Sequence, residues 1–148
     1  MIPKMRSGFT LIELIVVIII VGILAAVGIS QYSKTVEKGR GAEARMTLGN
    51  IRNLAYQYYL ENGTLATITS ADLNIGTSPD QVPGDTASAC RSTHYFWYQP
   101  GSKGVNTLQL TAWRCGSGGK TPQGTAGLYL NFMVGPGYGD TWNGNGGY

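Results

Sequence analysis

The sequence predicts an α+β protein in which a long amino-terminal helix packs part of its length on a small antiparallel sheet of three or four strands. Three observations predict this fold class. An apolar segment begins at Phe9, a stripe of apolar residues at helical spacing runs on to Gly63, and short strand-like segments separated by Gly, Pro and Ser fill residues 64–148. We expect the apolar half of the helix, residues 9–30, to protrude from the globular part.

The composition fits one compact domain plus one special segment. The chain has 148 residues, of which 13% are charged and 22 are glycine. Lys4 and Arg6 near the amino terminus supply two of the net +3 charges, and the remaining +1 gives no support to nucleic-acid binding, which normally uses clustered Lys and Arg. Beyond Gly63, basic and acidic residues balance: Arg91, Lys103, Arg114 and Lys120 against Asp72, Asp80, Asp85 and Asp140.

Residues 9–29 form the segment that decides the interpretation. They carry a single charge, Glu13, and are apolar on every side. A helix rises about 1.5 Å per residue, so this segment is long enough to cross the hydrocarbon of a bilayer. The sequence therefore predicts a membrane-spanning helix.

Three kinds of membrane segment fit this length. A secretory signal peptide would be cleaved after the apolar stretch, where Leu24, Ala25 and Ala26 give a poor cleavage site. A permanent anchor leaves the carboxylate of Glu13 unexplained, because a charge in hydrocarbon is costly. The third kind is inserted first and later extracted to pack against its own copies.

The amino terminus carries a resemblance that favours the third kind. The leader MIPKMRSG, followed by FTLIELIVVIIIVGILAAVGISQY, resembles the class III signal of type IV prepilins and of the pseudopilins of type II secretion. This resemblance implies that a prepilin peptidase removes residues 1–8, cutting between Gly8 and Phe9, and methylates the amino group of Phe9. Lys4 and Arg6 would hold the leader in the cytoplasm.

The resemblance also implies a role for the mature amino terminus. Residues 9–30 would form the core of a filament, in which the carboxylate of Glu13 pairs with the Phe9 ammonium of a neighbouring subunit and fixes the register. The alternative for Glu13 is an unpaired carboxylate that reaches the membrane interface. The implied partners are identical subunits, the prepilin peptidase, and an inner-membrane assembly platform with its ATPase.

Residues 31–63 are predicted to continue the helix with one apolar face. Its stripe is Ala44, Leu48, Ile51, Ala55 and Tyr58, and Gly63 supplies the expected end. Ser30 stands where the family usually has proline, so the sequence does not predict a proline kink. Glycines within the helix predict local melting between Gly22 and Gly41.

Residues 64–148 are predicted to form the globular domain. The best strand candidates are residues 94–100, 108–114 and 127–134. Residues 68–89 contain few apolar positions and are interpreted as a surface loop, with one helical turn begun by Ser70. The glycine-rich residues 135–148 are interpreted as a flexible surface loop.

Cys90 and Cys115 are predicted to form a disulfide, because the chain is bound for the oxidising side of a membrane. A hairpin that turns at Ser102–Lys103 would bring the two cysteines face to face. It would also place Tyr95 opposite Leu110 and Trp97 opposite Leu108, on one apolar face for the helix.

No catalytic or cofactor-binding residues are predicted. GSGGKT at 116–121 lacks the first glycine of a phosphate-binding loop, and His94 has no catalytic partners nearby. Oxygens of Asp140, Asn143 and Asn145 could bind Ca²⁺, but their spacing is not that of an EF-hand loop. We expect neither a metal site nor a cofactor.

The sequence thus predicts a structural protein and not an enzyme. A type IVa-like pilin is favoured, because many type IV pilins close a carboxy-terminal disulfide loop such as 90–115, whereas major pseudopilins commonly lack one. The precursor would lie in the inner membrane, and the filament on the bacterial surface would serve attachment, motility or DNA uptake. The alternatives are a pseudopilin of type II secretion and a membrane-anchored binding protein that never polymerises.

Overall fold

A computed structural model of the chain describes residues 8–86, 89–122, 124 and 141–145, and the backbone of residues 129–134. The chain divides into two compact units, Met1–Val36 and Glu37–Tyr148. The predicted α+β class is confirmed: one long helix precedes a small antiparallel sheet, and in the second unit the helix packs on that sheet.

Helix α1 spans Leu11–Asn62 without interruption. Melting between Gly22 and Gly41 is therefore not observed in the single chain, and that prediction now concerns the assembled filament alone. The predicted apolar stripe is confirmed in the second unit, where Tyr58 is half-buried and four residues are almost fully buried: Ala44, Leu48, Ile51 and Ala55.

The helix ends at the predicted glycine. Gly63 has a φ of +71°, in the left-handed region that only glycine enters without strain, and its amide donates to the carbonyl oxygen of Tyr59 at 2.8 Å. This geometry closes the last turn of α1 and sends the chain towards the sheet.

We predict opposite stability changes for two Gly→Ala substitutions. Gly63→Ala should lower the free energy of unfolding by about 1 kcal/mol, since alanine is strained at positive φ. Gly49→Ala should raise it by up to about 1 kcal/mol, because Gly49 lies inside the helix and an added Cβ meets no atom within 4 Å. Urea denaturation of the full chain in detergent micelles measures both. Changes of the same sign would contradict the prediction.

Residues 68–86 contribute to the core, so their interpretation as a surface loop was wrong. Ile68, Leu73 and Ile75 are almost fully buried. The helical turn expected after Ser70 is a 3-10 turn at Ala71–Leu73, but the Ser70 side chain does not cap it; its hydroxyl donates to Asp85 instead. These three residues belong to the same hydrophobic cluster as the buried face of α1 and the strands, which their spacing in the sequence does not indicate.

Two short parallel strands and one arginine organise this segment. Strand β1 (Ile75–Gly76) pairs with β2 (Val82–Pro83). The guanidinium of Arg91 donates to four backbone carbonyl oxygens of the same region: Gly76, Ser78, Pro79 and Gln81. Arg91, which was interpreted only as a balancing charge, therefore fixes the loop that leads into the disulfide.

The main sheet has four antiparallel strands in chain order: β3 (Phe96–Lys103), β4 (Leu108–Arg114), β5 (Tyr129–Val134) and β6 (Thr141–Gly144). Strand β3 lies at an edge of this sheet, which explains how it accommodates Pro100. The expected strand 127–134 is present from Tyr129, and residues 127–128 lie outside the described residues. Strand β6 lies in the glycine-rich tail, which is therefore not entirely a loop.

The predicted register between β3 and β4 was wrong. Trp97 pairs with Trp113 and not with Leu108, and Leu110 pairs with Pro100 and not with Tyr95. The shift is odd, so it exchanges the two faces of β3. Phe96 and Tyr98 are consequently buried against the helix, and the rings of Trp97 and Trp113 stack with centroids 6.0 Å apart.

A later turn explains the shift. The chain reverses at Gly104–Thr107, where the Gly104 amide donates to the Thr107 carbonyl oxygen at 2.8 Å, and not at Ser102–Lys103. Contacts with the segment after the helix hold this turn. The amide of Leu65 donates to the carbonyl oxygen of Val105 at 2.8 Å. The ammonium group of Lys103 donates to the carbonyl oxygen of Ile68 at 2.6 Å.

A buried arginine ties the helix to the sheet. The side chain of Arg114 is inaccessible to solvent, and its Nε donates to Oε1 of Glu37 on α1 at 2.6 Å. Its two terminal nitrogens donate to the carbonyl oxygens of Tyr95 and Pro122, each at 2.9 Å. Glu37 also accepts a bond from Arg40 at 2.6 Å. Because Arg114 donates three hydrogen bonds, one of them to its counter-charge, the ion pair tolerates burial.

The predicted disulfide is present. Cys90 and Cys115 are bonded, with their Cα atoms 5.9 Å apart. Cys90 precedes β3 and belongs to no strand, so the cross-strand geometry expected for the pair was wrong although the pairing was right. Gly119 lies so close that a Cβ there would come within 2.3 Å of the Cβ of Cys115.

Removing the disulfide should destabilise the second unit. The bond closes a loop with a sequence separation of 25, and the chain-entropy relation gives about 3.5 kcal/mol for such a loop. We expect the Cys90→Ser, Cys115→Ser double variant to lose that much free energy of unfolding in the full chain. Thiol titration of the folded, unreduced wild type should find no free thiol. A loss below about 1 kcal/mol, or two free thiols, would contradict the prediction.

Candidate functional site

The first turn of α1 carries a capping box. Thr10 is the N-cap, since its carbonyl oxygen accepts the first helical bond from Leu14 at 3.3 Å. The Thr10 hydroxyl oxygen accepts a bond from the Glu13 amide at 3.3 Å, and Glu13 Oε2 accepts bonds from the Thr10 amide at 2.8 Å and the Thr10 hydroxyl at 2.7 Å. Threonine followed three residues later by glutamate is the pattern that produces this reciprocal arrangement.

Glu13 is also the only acidic residue of the first turn, where a negative charge interacts favourably with the helix dipole. Gly8 and Phe9 precede the helix and are exposed. The bond expected to be cut, Gly8–Phe9, therefore lies in non-helical backbone two residues before α1 begins.

The surface around Glu13 is apolar. All large apolar residues from Phe9 to Ile29 are exposed, from 42% for Ile15 to 84% for Phe9. An open groove of about 330 Å³ is lined by Phe9, Ile12, Glu13, Val16 and Val17. An exposed apolar surface of this extent requires cover from lipid or from other protein.

Within the described residues, α1 is the one helix that is long and apolar enough to cross a membrane, judged by length and composition. The predicted residues of the amino terminus thus lie together: Phe9 and Glu13 line one groove at the start of this helix. The pairing predicted for them joins two subunits and stays a prediction. Lys4 and Arg6 of the expected leader lie outside the described residues.

The residues weighed for metal binding or catalysis do not assemble into a site in the described part of the chain. No group of three His, Cys, Asp or Glu there could hold a metal ion. Asp140 lies outside the described residues, and Asn143 and Asn145 are exposed. His94 precedes β3, where its Nδ1 lies 2.8 Å from the Thr93 hydroxyl, and so does not lie in the strand as expected.

Two features of the structure were not predicted from the sequence. Thr10 could have been identified from the Thr-x-x-Glu pattern at the start of an apolar helix. The ion pair between Glu37 and Arg114 joins residues 77 positions apart, and no local pattern marks either of them as buried.

The amino-terminal residues match the model of a known family. The family model described as the prokaryotic N-terminal methylation motif matches residues 3–29. This range contains Gly8, Phe9, Thr10 and Glu13.

Curated relatives match between about two fifths and about half of the chain. Fimbrial protein EcpC of Eikenella corrodens is 38% identical over 63 residues, which are 43% of this chain and 41% of the relative. Type IV major pilin protein PilE1 of Neisseria gonorrhoeae is 32% identical over 80 residues, 54% of this chain and 48% of the relative. A probable minor fimbrial protein of Dichelobacter nodosus is 39% identical over 61 residues, 41% of this chain and 38% of the relative.

The chain spans less than half the length of these relatives. No solved structure matches it. The chain is thus similar to fimbrial and type IV pilin proteins over about half of its length, and its match to the methylation motif lies at residues 3–29.

Proposed function

We propose, from the premise that its amino terminus is of the type IV pilin kind, that this chain is a structural subunit of an extracellular type IV pilus-like filament. Its precursor is held in the inner membrane by residues 9–30. A prepilin peptidase removes residues 1–8 by cutting between Gly8 and Phe9, and methylates the new amino group of Phe9. The match to the N-terminal methylation motif over residues 3–29 supports this processing.

The observation that carries the proposal is the apolar surface that α1 exposes from Phe9 to Ile29. In lipid this surface is covered. When the subunit leaves the bilayer, contact with the same segment of identical subunits must replace the lipid, and burial gives about 25 cal/mol per Å² of apolar surface. An inner-membrane assembly platform and its ATPase would supply the work of extraction.

Glu13 gives the assembly its register. Cleavage creates a positive charge at Phe9, and in a staggered stack of helices Glu13 of one subunit lies level with Phe9 of the next. The ion pair removes two charges that would each be costly in an apolar interior. The contact therefore favours one axial displacement between neighbouring subunits.

The function is structural and not enzymatic. Attachment, motility or DNA uptake are the activities that a surface filament of this type would serve, and the disulfide loop 90–115 favours a type IVa-like pilin over a pseudopilin.

Electron microscopy of material sheared from the cell surface tests the proposal. Long filaments that bind an antibody raised against residues 64–148, and that vanish when the gene is deleted, are expected. Filaments too short to extend from the cell surface would support a pseudopilin instead. A subunit that stays in the membrane fraction would support the monomeric anchor.

A further inference from the structure

One tyrosine ring in the second unit is surrounded by positive charges. The ring centroid of the half-buried Tyr95 lies 5.3 Å from Cζ of Arg40, 4.9 Å from Cζ of Arg114 and 4.8 Å from Nζ of Lys120. Contacts between a cation and an aromatic ring occur about once per 70 to 80 residues in proteins. Three of them on a single ring therefore concentrate positive charge at one place in this unit.

The nearby carboxylates do not neutralise this cluster. Glu37 uses both of its oxygens, Oε2 for Arg40 and Oε1 for Arg114, each at 2.6 Å. The other nearby carboxylate, Glu43, accepts the backbone amide of the same tyrosine at 3.2 Å. Within the described part of the chain, no carboxylate oxygen lies within 4 Å of the Lys120 ammonium. Three cations against two carboxylates leave one positive charge in excess.

Arg40 and Lys120 are the two cations of the cluster that a ligand can reach. The Arg40 side chain is 19% exposed and donates from one terminal nitrogen to Glu37, so its guanidinium keeps further N–H groups for another acceptor. Lys120 is exposed. Arg114 is inaccessible to solvent and contributes its charge alone.

The position of Lys120 is fixed at both ends of the residue. Its backbone amide donates to the carbonyl oxygen of His94 at 2.8 Å, and its ammonium lies over the ring of Tyr95. The preceding residue, Gly119, is buried against the disulfide. A cation that is ordered before its ligand arrives loses less conformational entropy on binding.

We propose that Arg40 and Lys120 form a binding site for one phosphate group beside the Tyr95 ring. A phosphate supplies the negative charge that the cluster lacks, and its oxygens can accept bonds from a planar guanidinium and from an ammonium together. The segment GSGGKT at 116–121 lacks the first glycine of a nucleotide-binding loop, but its lysine lies beside an arginine of α1. Free phosphate and the phosphodiester of a lipid headgroup share this chemistry.

Titration of the full chain in non-ionic detergent micelles with inorganic phosphate tests the site. The pH is held constant, and phosphate replaces chloride at fixed ionic strength. Line broadening in the phosphorus NMR spectrum gives the dissociation constant. Lys120→Gln removes the charge, Lys120→Arg keeps it, and Lys38→Gln is the matched control, since Lys38 is exposed and makes no ion pair with the other described residues.

We expect Lys120→Gln to weaken phosphate binding by about tenfold, because a hydrogen bond between two charged groups is lost. Lys120→Arg should bind within about threefold of the wild type, since the positive charge is kept. Lys38→Gln should bind within about twofold, because salt screens an exposed charge that does not touch the ligand.

A second measurement distinguishes the two sources of phosphate. The full chain is reconstituted in nanodiscs of equal parts phosphatidylglycerol and phosphatidylcholine, and native mass spectrometry counts the lipids that it retains. A phosphatidylglycerol retained by the wild type and by Lys38→Gln, but lost in Lys120→Gln, would identify a lipid headgroup. Equal retention in all three would identify a soluble phosphate group as the ligand of the site seen in micelles.

A wild type that binds no phosphate in micelles would overturn the inference. Unchanged binding by Lys120→Gln, or equal weakening by Lys120→Gln and Lys38→Gln, would also overturn it. The site goes beyond the proposed function and is measured on the unassembled chain. Its failure would therefore leave the filament untouched, and a chain that forms no filament could still bind phosphate.

Discussion

Replacing Glu13 by valine is expected to reduce the yield of filaments by roughly a hundredfold or more. Valine is at least as compatible with lipid as glutamate, so membrane insertion and removal of residues 1–8 should continue. In the filament, however, the Phe9 ammonium of the neighbouring subunit is left in an apolar interior without its counter-charge. The subunit should therefore accumulate in the membrane with Phe9 as its first residue.

Quantitative immunoblots of sheared filaments and of membranes measure this effect, and mass spectrometry identifies the first residue. Glu61→Val is the matched control, because Glu61 is exposed in the last turn of α1, far along the chain from the amino terminus. It should assemble within about twofold of the wild type. Normal filament yield from Glu13→Val would refute the role in register.

Replacing Arg114 by methionine is expected to lower the free energy of unfolding by about 3 to 5 kcal/mol. The substitution leaves Glu37, whose side chain is only 19% exposed, without the bond from Arg114 Nε, and it removes the donors to the carbonyl oxygens of Tyr95 and Pro122. Lysine cannot reproduce three bonds in a planar arrangement, so Arg114→Lys should recover only part of the loss.

Urea denaturation of the full chain in detergent micelles, followed by the fluorescence of its three tryptophans, measures this change. Arg45→Met is the matched control. The exposed Arg45 guanidinium lies 5.7 Å from the ring centroid of Trp142, a contact that contributes about 1 kcal/mol or less. If Arg114→Met and Arg45→Met lowered the free energy of unfolding equally, the buried ion pair would contribute no more to stability than the exposed contact of Arg45.

The sequence was sufficient for the elements whose cause is local. The apolar residues at helical spacing identify the buried face of α1, and Gly63 marks its end because only glycine adopts a positive φ there without strain. The disulfide follows from there being just two cysteines. The residues that flank Glu13 predict its role, but they were not used to predict its hydrogen bonds with Thr10.

The features set by tertiary contacts were not predictable in the same way. The turn after β3 lies at Gly104–Thr107, where hydrogen bonds from Leu65 to Val105 and from Lys103 to Ile68 join it to the segment that follows the helix. The alternation of apolar and polar residues along the strands cannot by itself choose between two nearby turns. Burial of Arg114 likewise depends on Glu37, which lies 77 positions away. The position of the turn and the burial of Arg114 both depend on contacts between segments that are far apart in the sequence.

The intact mass of the subunit in sheared filaments tests the central claim most directly. The mass expected of a processed subunit is found there only if cleavage, methylation and assembly have all occurred. We predict a mass lower than that of the precursor by residues 1–8, with one methyl group added on Phe9 and with Cys90 and Cys115 oxidised. A subunit that still begins at Met1, or that is found in no filament, would contradict the claim that this chain is a processed pilus subunit.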